Sequence, residues 1–273
     1  VIPAPFEYAR VGSVDEAVEA LAADTDAKLL AGGHSLLPAM RLRMARPSTL
    51  VDIGRLEDLS TIREEGDEIV IGSLARHHDV ASSHLLQRSC PIVPFAAAQI
   101  GDPQVRHVGT IGGSVAHGDP AGDMPAVLLA LDATFVATGS GGATRTIDAG
   151  SFFTGLFETA LDSTEVLTEI RVPKTTGGWS FLKFNRRAQD WALVGVSAVR
   201  ASTGVRIALT NMGLTPLRAT AVEDALADGA DVAAASARAD EGTAPPDDAF
   251  ASSGYRRAVV KVLTERALDE AMS

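Results

Sequence analysis

The chain has 273 residues, enough for one large domain or for two or three smaller lobes, and 46% of them are apolar, so a buried core is within reach. Its 24 Lys and Arg against 35 Asp and Glu leave a net charge of −11, which argues against nucleic acid as a partner, because that affinity rests on clustered cations neutralising phosphates. The single cysteine, Cys90, excludes an internal disulfide and any iron–sulfur cluster or thiolate zinc site built from this chain alone.

The N-terminal residues Val1-Ile2-Pro3-Ala4-Pro5 lack a basic region followed by an apolar run, so no signal peptide is expected. Ser13-Val14-Asp15-Glu16 reads as a capping box opening a helix with Ala17, Val18, Leu21 and Ala22 on one face. A short buried strand over 28–31 runs into Gly32-Gly33-His34-Ser35. A helical turn carrying Leu36, Leu37, Met40 and Leu42 follows, then a strand over 50–53. This first unit is α/β.

Further on, the sequence predicts a strand over 69–71, a helix over 78–86 and another over 92–99. Cys90 sits in the apolar setting Cys90-Pro91-Ile92-Val93 and reads as a buried thiol. Residues 101–123 are dense in Gly, Asp, Pro and His without clear periodicity, and read as a long loop. Its apolar residues Val105, Val108, Ile111 and Val115 argue for order, and an ordered loop of that length is functional. Asp123 before Pro125 marks a helix start with Asp123 as N-cap. Strands are expected over 134–138, 144–147 and 166–172, the first two joined by a glycine turn. After Pro173 come three strands of a meander, over 179–184, 194–199 and 205–210. A helix over 219–228, an acidic alanine-rich stretch read as solvated helix and loop, and a last helix over 255–272 complete the chain. Tyr255, Val259, Val262 and Leu263 fall on one side of that helix. No internal repeat appears, and the apolar runs fall well short of the ~20 residues a membrane span needs.

For chemistry, the absences come first. There is no G-x-G-x-x-G after a strand and no G-x-x-x-x-G-K-[ST], so neither a Rossmann site nor a P-loop is indicated. Two glycine turns stand in their place: Ala31-Gly32-Gly33-His34-Ser35 and Gly109-Thr110-Ile111-Gly112-Gly113-Ser114. Glycines let backbone approach a ligand closely, and successive N–H groups can converge on an anion. Taken singly, each is also what an ordinary turn looks like. In an acidic protein a phosphate must be held by such local donors, not by the overall field. His77-His78 and His84 have no Cys partner and no H-E-x-x-H spacing, so they read as surface or helix-start residues and no metal site is expected. No G-x-S-x-G nucleophile elbow is present, and Ser-His-Asp hydrolysis is set aside.

The two glycine segments, extended as Ala31–Arg41 and Ile100–Ser114, resemble the FAD motifs of the molybdenum hydroxylase flavoproteins. These are the medium subunits of carbon monoxide dehydrogenase-type enzymes and the equivalent domain of xanthine dehydrogenase. The likeness continues in order through Gly118-Asp119-Pro120-Ala121-Gly122-Asp123-Met124-Pro125, Lys183-Phe184-Asn185-Arg186-Arg187 and Gly254-Tyr255-Arg256-Arg257. The resemblance implies an α+β fold: a two-lobed FAD-binding domain of the vanillyl-alcohol oxidase type over 1–175 (a small α/β lobe over 1–56, a mixed or antiparallel sheet lobe over 57–175), then a small antiparallel-sheet and helix domain over 176–273.

The same resemblance assigns site residues. Leu30, Ala31, Gly32, Gly33, His34, Ser35 and Leu36, with Gly101, Val108, Thr110, Ile111, Gly112, Gly113 and Ser114, would surround the dinucleotide and wrap its pyrophosphate. His117 and Asp119 would approach its ribityl and phosphate region. Asp123 would bond a hydroxyl of the FAD sugar chain, with a plain N-cap as its other reading. Leu167 would lie near a ring. Lys183 would stand near the flavin, or be a surface strand lysine. Trp191, after Asp190, would lie close to the isoalloxazine, or be ordinary core. No catalytic group beyond the flavin is implied on this chain.

The family also implies partners: a large molybdopterin subunit, a small subunit with two [2Fe-2S] clusters, and an assembly as a dimer of heterotrimers. Electrons would pass from the clusters to FAD and on to an external acceptor, a quinone or similar carrier in preference to NAD. The likeness lies nearest the carbon monoxide dehydrogenase branch. The alternatives are a flavoprotein subunit for N-heterocycles, purines or aldehydes, a stand-alone flavin reductase of the same broad fold, and a flavin-free binding module. A cytoplasmic protein is expected, with a peripheral place at the inner membrane face allowed.

Overall fold

The computed structural model describes residues 2–175 and 177–273. The first lobe contains β1 (Glu7–Arg10), α1 (Val14–Ala23), β2 (Lys28–Leu30), α2 (Leu36–Arg41) and β3 (Thr49–Asp52). Its three strands form a parallel sheet in the order β1-β3-β2. β1 carries no alternating apolar pattern and was not expected. Ser13 caps α1 by accepting from the Glu16 N–H at 3.1 Å, but the Glu16 carboxylate reaches back to the N–H of Gly12, at 2.7 Å, instead of that of Ser13. Ala17, Val18 and Leu21 are buried in one cluster with Val51 and Ile53, each large side chain contributing roughly 1.5–3 kcal/mol. Ala22, expected on the same face, is exposed.

The second lobe is built on a five-stranded antiparallel sheet. It begins with the hairpin β4 (Ile62–Glu65) and β5 (Glu68–Gly72). A helical layer follows: α3 (His77–Ser82), α4 (His84–Ser89), α5 (Ile92–Ala97), α6 (Pro103–Arg106), α7 (Ile111–His117) and α8 (Asp123–Ala130). The chain then returns through β6 (Thr134–Thr138), β7 (Thr144–Asp148), α9 (Ala149–Phe152), the small hairpin β8 (Phe153–Gly155) and β9 (Glu158–Thr159), and β10 (Val166–Pro173). Sheet order is β4-β5-β10-β6-β7. Two expectations fail here. The single helix over 78–86 is two helices, because Ser83 is extended (φ −67°, ψ 110°) and its hydroxyl caps α4 at the Leu86 N–H. The long loop over 101–123 contains α6 and α7, which are too short to show a helical period. Asp102 starts α6, accepting from the Val105 N–H at 2.9 Å, and Thr110 starts α7. Every residue of α8 is buried, and Cys90 is buried with its thiol pushed up to about 11 by that burial.

The last part is the meander β11 (Trp179–Phe184), β12 (Val194–Ala201), β13 (Gly204–Thr210) and β14 (Leu217–Arg218), covered by α10 (Thr220–Ala227), α11 (Val232–Ser236) and α12 (Ser253–Met272). The buried face of α12 is Arg256, Val260, Leu263, Thr264, Ala267, Leu268 and Ala271. Of the face read from the sequence only Leu263 is buried. Tyr255 and Val262 are exposed, because a buried arginine and threonine take positions that an apolar pattern cannot reveal. The chain is thus α+β, a parallel α/β lobe and an antiparallel lobe followed by an antiparallel sheet with helices.

Candidate functional site

β2 ends at Leu30 and the chain turns through Gly32 and Gly33 into α2. Gly33 has φ +71°, a left-handed conformation that costs a side-chain-bearing residue about 1–2 kcal/mol. Gly32 is required for another reason. A Cβ there would lie 2.4 Å from the Val108 carbonyl oxygen and 2.8 Å from the Gly109 Cα, both backbone. The two glycine turns, far apart in sequence, are therefore in contact and make one structure.

They are not equivalent as donors. Among the described residues, the backbone N–H groups of Ala31, Gly32, Gly33, His34, Ser35 and Leu36 meet no acceptor within the chain, and Ser35 makes no cap bond. An unpaired run of six N–H groups at a strand-to-helix turn is a cradle for an anion. In the second segment the N–H of Ile111 donates to Ala75 O (2.9 Å), Gly112 to Ser73 O (2.8 Å), Gly113 to Thr110 Oγ1 (3.2 Å) and Ser114 to Thr110 O (3.1 Å). Only Thr110 keeps an N–H without an internal acceptor. The expectation that Ile111–Ser114 offer backbone donors fails because those donors start a helix and tie it to the chain after β5. Gly112 is needed for that packing, since a Cβ would meet Ser73 Cβ at 2.4 Å. Ser73 in turn donates its N–H to Thr168 O at 3.0 Å, which places α7 beside buried Leu167 on β10.

Behind Gly109 lies His77. Its N–H donates to Gly109 O at 3.0 Å and its ring edge packs on Gly109. It is the first residue of α3, as its helix-start reading has it, but it is buried and not at the surface, and burial, with Arg106 and His34 nearby, lowers its pKa to about 4. His34 itself is exposed. Gly101 (φ +50°) turns the chain from α5 into α6, and Arg106 Nη1 holds the carbonyls of Ile100 and Gly101 at 2.9 and 3.1 Å.

Asp123 is not an N-cap. Gly122 holds that position without a side-chain bond, and Asp123 is the first residue of α8. Its Oδ2 accepts from Lys183 Nζ at 2.7 Å, and its buried Oδ1 has no partner among the described residues. Burial pushes the carboxyl up to about 6 even against the Lys183 charge. Lys183, also 3.3 Å from Gln99 O, is buried on β11 and is no surface lysine. Asp119 closes the preceding turn by accepting from the Ala121 N–H (2.8 Å). Half-buried His117 packs at a tilt against Phe157 with ring centroids 4.9 Å apart, and burial holds its pKa below the usual imidazole value against the pull of Asp119. Trp191 stands apart: it is 68% exposed, so its core reading is overturned.

The structure thus brings together Gly32 with Val108 and Gly109, Asp123 with Lys183, and α7 with the Leu167 strand. Sequence reasoning missed Ser73 and His77 as the supports behind the turns, and Asn211, which donates its N–H to Pro120 O and its amide to Ala192 O. None has a spacing signal. An open surface cavity of about 630 Å³, lined by residues such as Phe184, Arg186, Phe250 and Tyr255, contains none of the predicted site residues. Among the described residues no group of three His, Cys, Asp or Glu is placed to hold a metal ion, and no helix is long and apolar enough to cross a membrane.

Residues 4–175 match the FAD binding domain in molybdopterin dehydrogenase, and residues 179–271 match the CO dehydrogenase flavoprotein C-terminal domain. The chain is 43% identical to the carbon monoxide dehydrogenase medium chain of Hydrogenophaga pseudoflava over 99% of this chain and 98% of that one. It is 37% identical to the glyceraldehyde dehydrogenase medium chain of Sulfolobus acidocaldarius, over 98% and 99%. Its fold superposes on a chain of carbon monoxide dehydrogenase from Hydrogenophaga pseudoflava with a TM-score of 0.94 at 44% identity, covering 100% of this chain and 99% of that one.

Proposed function

The chain belongs to the FAD-binding flavoprotein family of the molybdopterin dehydrogenases, and from that premise we propose that it is the FAD-carrying medium subunit of an aerobic carbon monoxide dehydrogenase. The observation that carries the cofactor part is the pairing of a free donor run, Ala31–Leu36, with the orphaned buried Asp123 Oδ1. An anion needs the first and a sugar hydroxyl needs the second, so the residues present fit a flavin dinucleotide.

In this reading the N–H groups of Ala31–Leu36, with Thr110 N–H and the hydroxyls of Ser35 and Ser114, hold the pyrophosphate. Gly32 and Gly109 let the backbone approach it. Leu30, Gly101, Val108, Ile111, Gly112, Gly113 and Leu167 shape the walls, with His34, His117 and Asp119 at the polar margin. Asp123 would accept a hydrogen bond from a hydroxyl at Oδ1 while Lys183 neutralises Oδ2 and would keep a cation near the flavin. Trp191, exposed, serves as its aromatic neighbour. Bound FAD supplies a carrier that takes and gives electrons singly or in pairs. The chain's own residues bind it and orient it.

The partners follow from the same reading: a large molybdopterin subunit and a small [2Fe-2S] subunit in a cytoplasmic dimer of heterotrimers, with a quinone or similar carrier as acceptor. The domain division proposed is 1–56 and 57–175 for the FAD-binding lobes and 176–273 for the C-terminal domain. Three apolar clusters follow this division in the main, the first also taking in Leu59, Leu74 and Val166 of the second lobe and the second taking in Phe181, Val199 and Ala208 of the C-terminal sheet. The similarity to a glyceraldehyde dehydrogenase chain favours a second reading, the same subunit serving an aldehyde oxidising enzyme. Copurification of the native complex, with metal and flavin analysis and dye-reduction assays on CO and on aldehydes, decides between them. CO-dependent reduction is the expected result, aldehyde-only reduction moves the assignment to the second, and a flavin-free preparation that takes up no FAD overturns both.

A further inference from the structure

Asn211 follows β13 with φ +61°, a left-handed backbone that asparagine tolerates better than most residues, and it is buried. This conformation aims two donors at two different loops. The backbone N–H reaches Pro120 O at 2.8 Å, and side-chain Nδ2 reaches Ala192 O at 2.7 Å. Pro120 follows Asp119 and lies three residues before Asp123; Ala192 directly follows Trp191. The loop from Phe184 to Val194 is also fixed at its base, where Leu193 N–H donates to Phe184 O and the buried Arg256 donates to Leu193 O, and on one flank, where the Arg186 guanidinium lies 5.7 Å from the Phe250 ring. Its tip is held by Asp190 N–H on Arg187 O and by a 3.5 Å contact from Asn185 Nδ2 to Asp190 O. A turn between two strands would need only Asn211's backbone. A buried amide spent on a separate loop needs a further reason.

We propose that Asn211 is a positioning residue that ties the Trp191 loop to the loop carrying Asp119 and Asp123, and so fixes how the C-terminal sheet closes on the cofactor site. The step to the cofactor rests on the FAD reading above. Two consecutive carbonyls, Ala192 and Leu193, are held by buried donors from different elements, and Asn211 alone of those donors also grips the FAD-binding domain.

The test uses the full chain with Trp179→Phe, which leaves Trp191 as the sole tryptophan of the two in the sequence. Asn211→Gly accepts the left-handed backbone but removes the amide. Asn211→Asp keeps the shape but opposes the Ala192 carbonyl with an oxygen. Both should lower the fluorescence anisotropy of Trp191 and weaken FAD binding by about tenfold, the loss of one buried hydrogen bond. A lowered unfolding temperature with unchanged anisotropy and unchanged FAD affinity would mean a plain structural turn and overturn the proposal. So would an Asn211→Gly chain whose anisotropy and affinity match the parent throughout. A parent chain that takes up no FAD would sink the FAD reading instead, with the anisotropy still deciding whether Asn211 holds the loop.

Discussion

Lys183 Nζ lies 2.7 Å from Asp123 Oδ2, with the two side chains 4% and 6% exposed, and this ion pair joins β11 of the C-terminal sheet to the first turn of α8. Burying two charges is costly, and their mutual attraction offsets the cost only when the remaining polar atoms are also satisfied. Here Asp123 Oδ1 is not. The pair is poorly designed for stability and well designed to meet a hydroxyl, and the pH behaviour of the chain should show it.

Burial raises the Asp123 carboxyl to about 6, above the ~3.9 of an exposed aspartate. A raised folded-state value means that the native state holds the proton more tightly than the unfolded one. The resulting stability is fully present below pH ~4 and is lost as pH rises through about 6. Cofactor binding should run the other way, because a hydroxyl donating to Oδ1 favours the ionised carboxylate. FAD affinity is expected to fall about tenfold between pH 7 and pH 5. Fluorescence titrations of FAD across that range check it, and Asp123→Asn should flatten the dependence.

Removing the ammonium alone should be severe. Lys183→Met leaves a buried carboxylate without its counter-charge, at an expected cost of about 3–5 kcal/mol. Adding Asp123→Asn to the same chain should recover much of that loss, since the uncompensated charge is then gone. Urea unfolding of the two single variants and the double variant measures the coupling. Additive losses would mean that the 2.7 Å pair contributes nothing.

The glycine pair separates two kinds of requirement. Gly32→Ala puts a methyl group 2.4 Å from a backbone carbonyl that cannot move without opening the Gly109 turn. Gly33→Ala meets only the ends of Leu37 and Leu30, which can shift, and pays about 1–2 kcal/mol for φ +71°. Gly32→Ala should therefore abolish measurable FAD binding, and Gly33→Ala should chiefly lower thermal stability. Equal loss of affinity in both would show that the close approach of the two turns is unimportant.

What the sequence made legible follows from where the information sits. The order of strands and helices was readable where an alternating or continuous apolar run exists, as in β6, β10 and the meander. β1 was missed because Glu7–Arg10 is an edge strand with mostly exposed side chains. The helices α6 and α7 were read as loop because four and seven residues cannot display a 3.6-residue period. The glycine turns were visible as types of residue, but their contact was not, because it depends on the segments after β2 and after α6 meeting at Gly32 and Val108. Nor could a sequence say that the donors of Ile111–Ser114 are consumed by Ala75, Ser73 and Thr110 while those of Ala31–Leu36 are free. Arg256 lay in a recognisable run, yet its burial contradicts its residue type.

Arg256 holds and Trp191 belongs to the same loop, one buried and the other exposed, and they should fail differently. Arg256 is 1% exposed, donates to Leu193 O and pairs with Asp248 at 2.8 Å. Trp191 is 68% exposed, with its side chain in no apolar cluster. Arg256→Met fills most of the same space but orphans the Leu193 carbonyl and leaves Asp248 without its charge partner. Asp248 is partly exposed, so water recovers some of that loss, and a cost of about 2–3 kcal/mol is expected. Arg256→Lys should restore little, because one ammonium cannot span two acceptors as the planar guanidinium does. Trp191→Ala should change stability by no more than about 0.5 kcal/mol, the range for exposed positions without special roles. If Trp191 is the flavin's neighbour, that variant should nonetheless alter the visible flavin spectrum of the holo chain. Denaturant unfolding beside flavin spectra separates the cases: a Trp191→Ala chain as destabilised as Arg256→Met would show that the tryptophan supports the fold, and one with an unaltered flavin spectrum would remove it from the cofactor site.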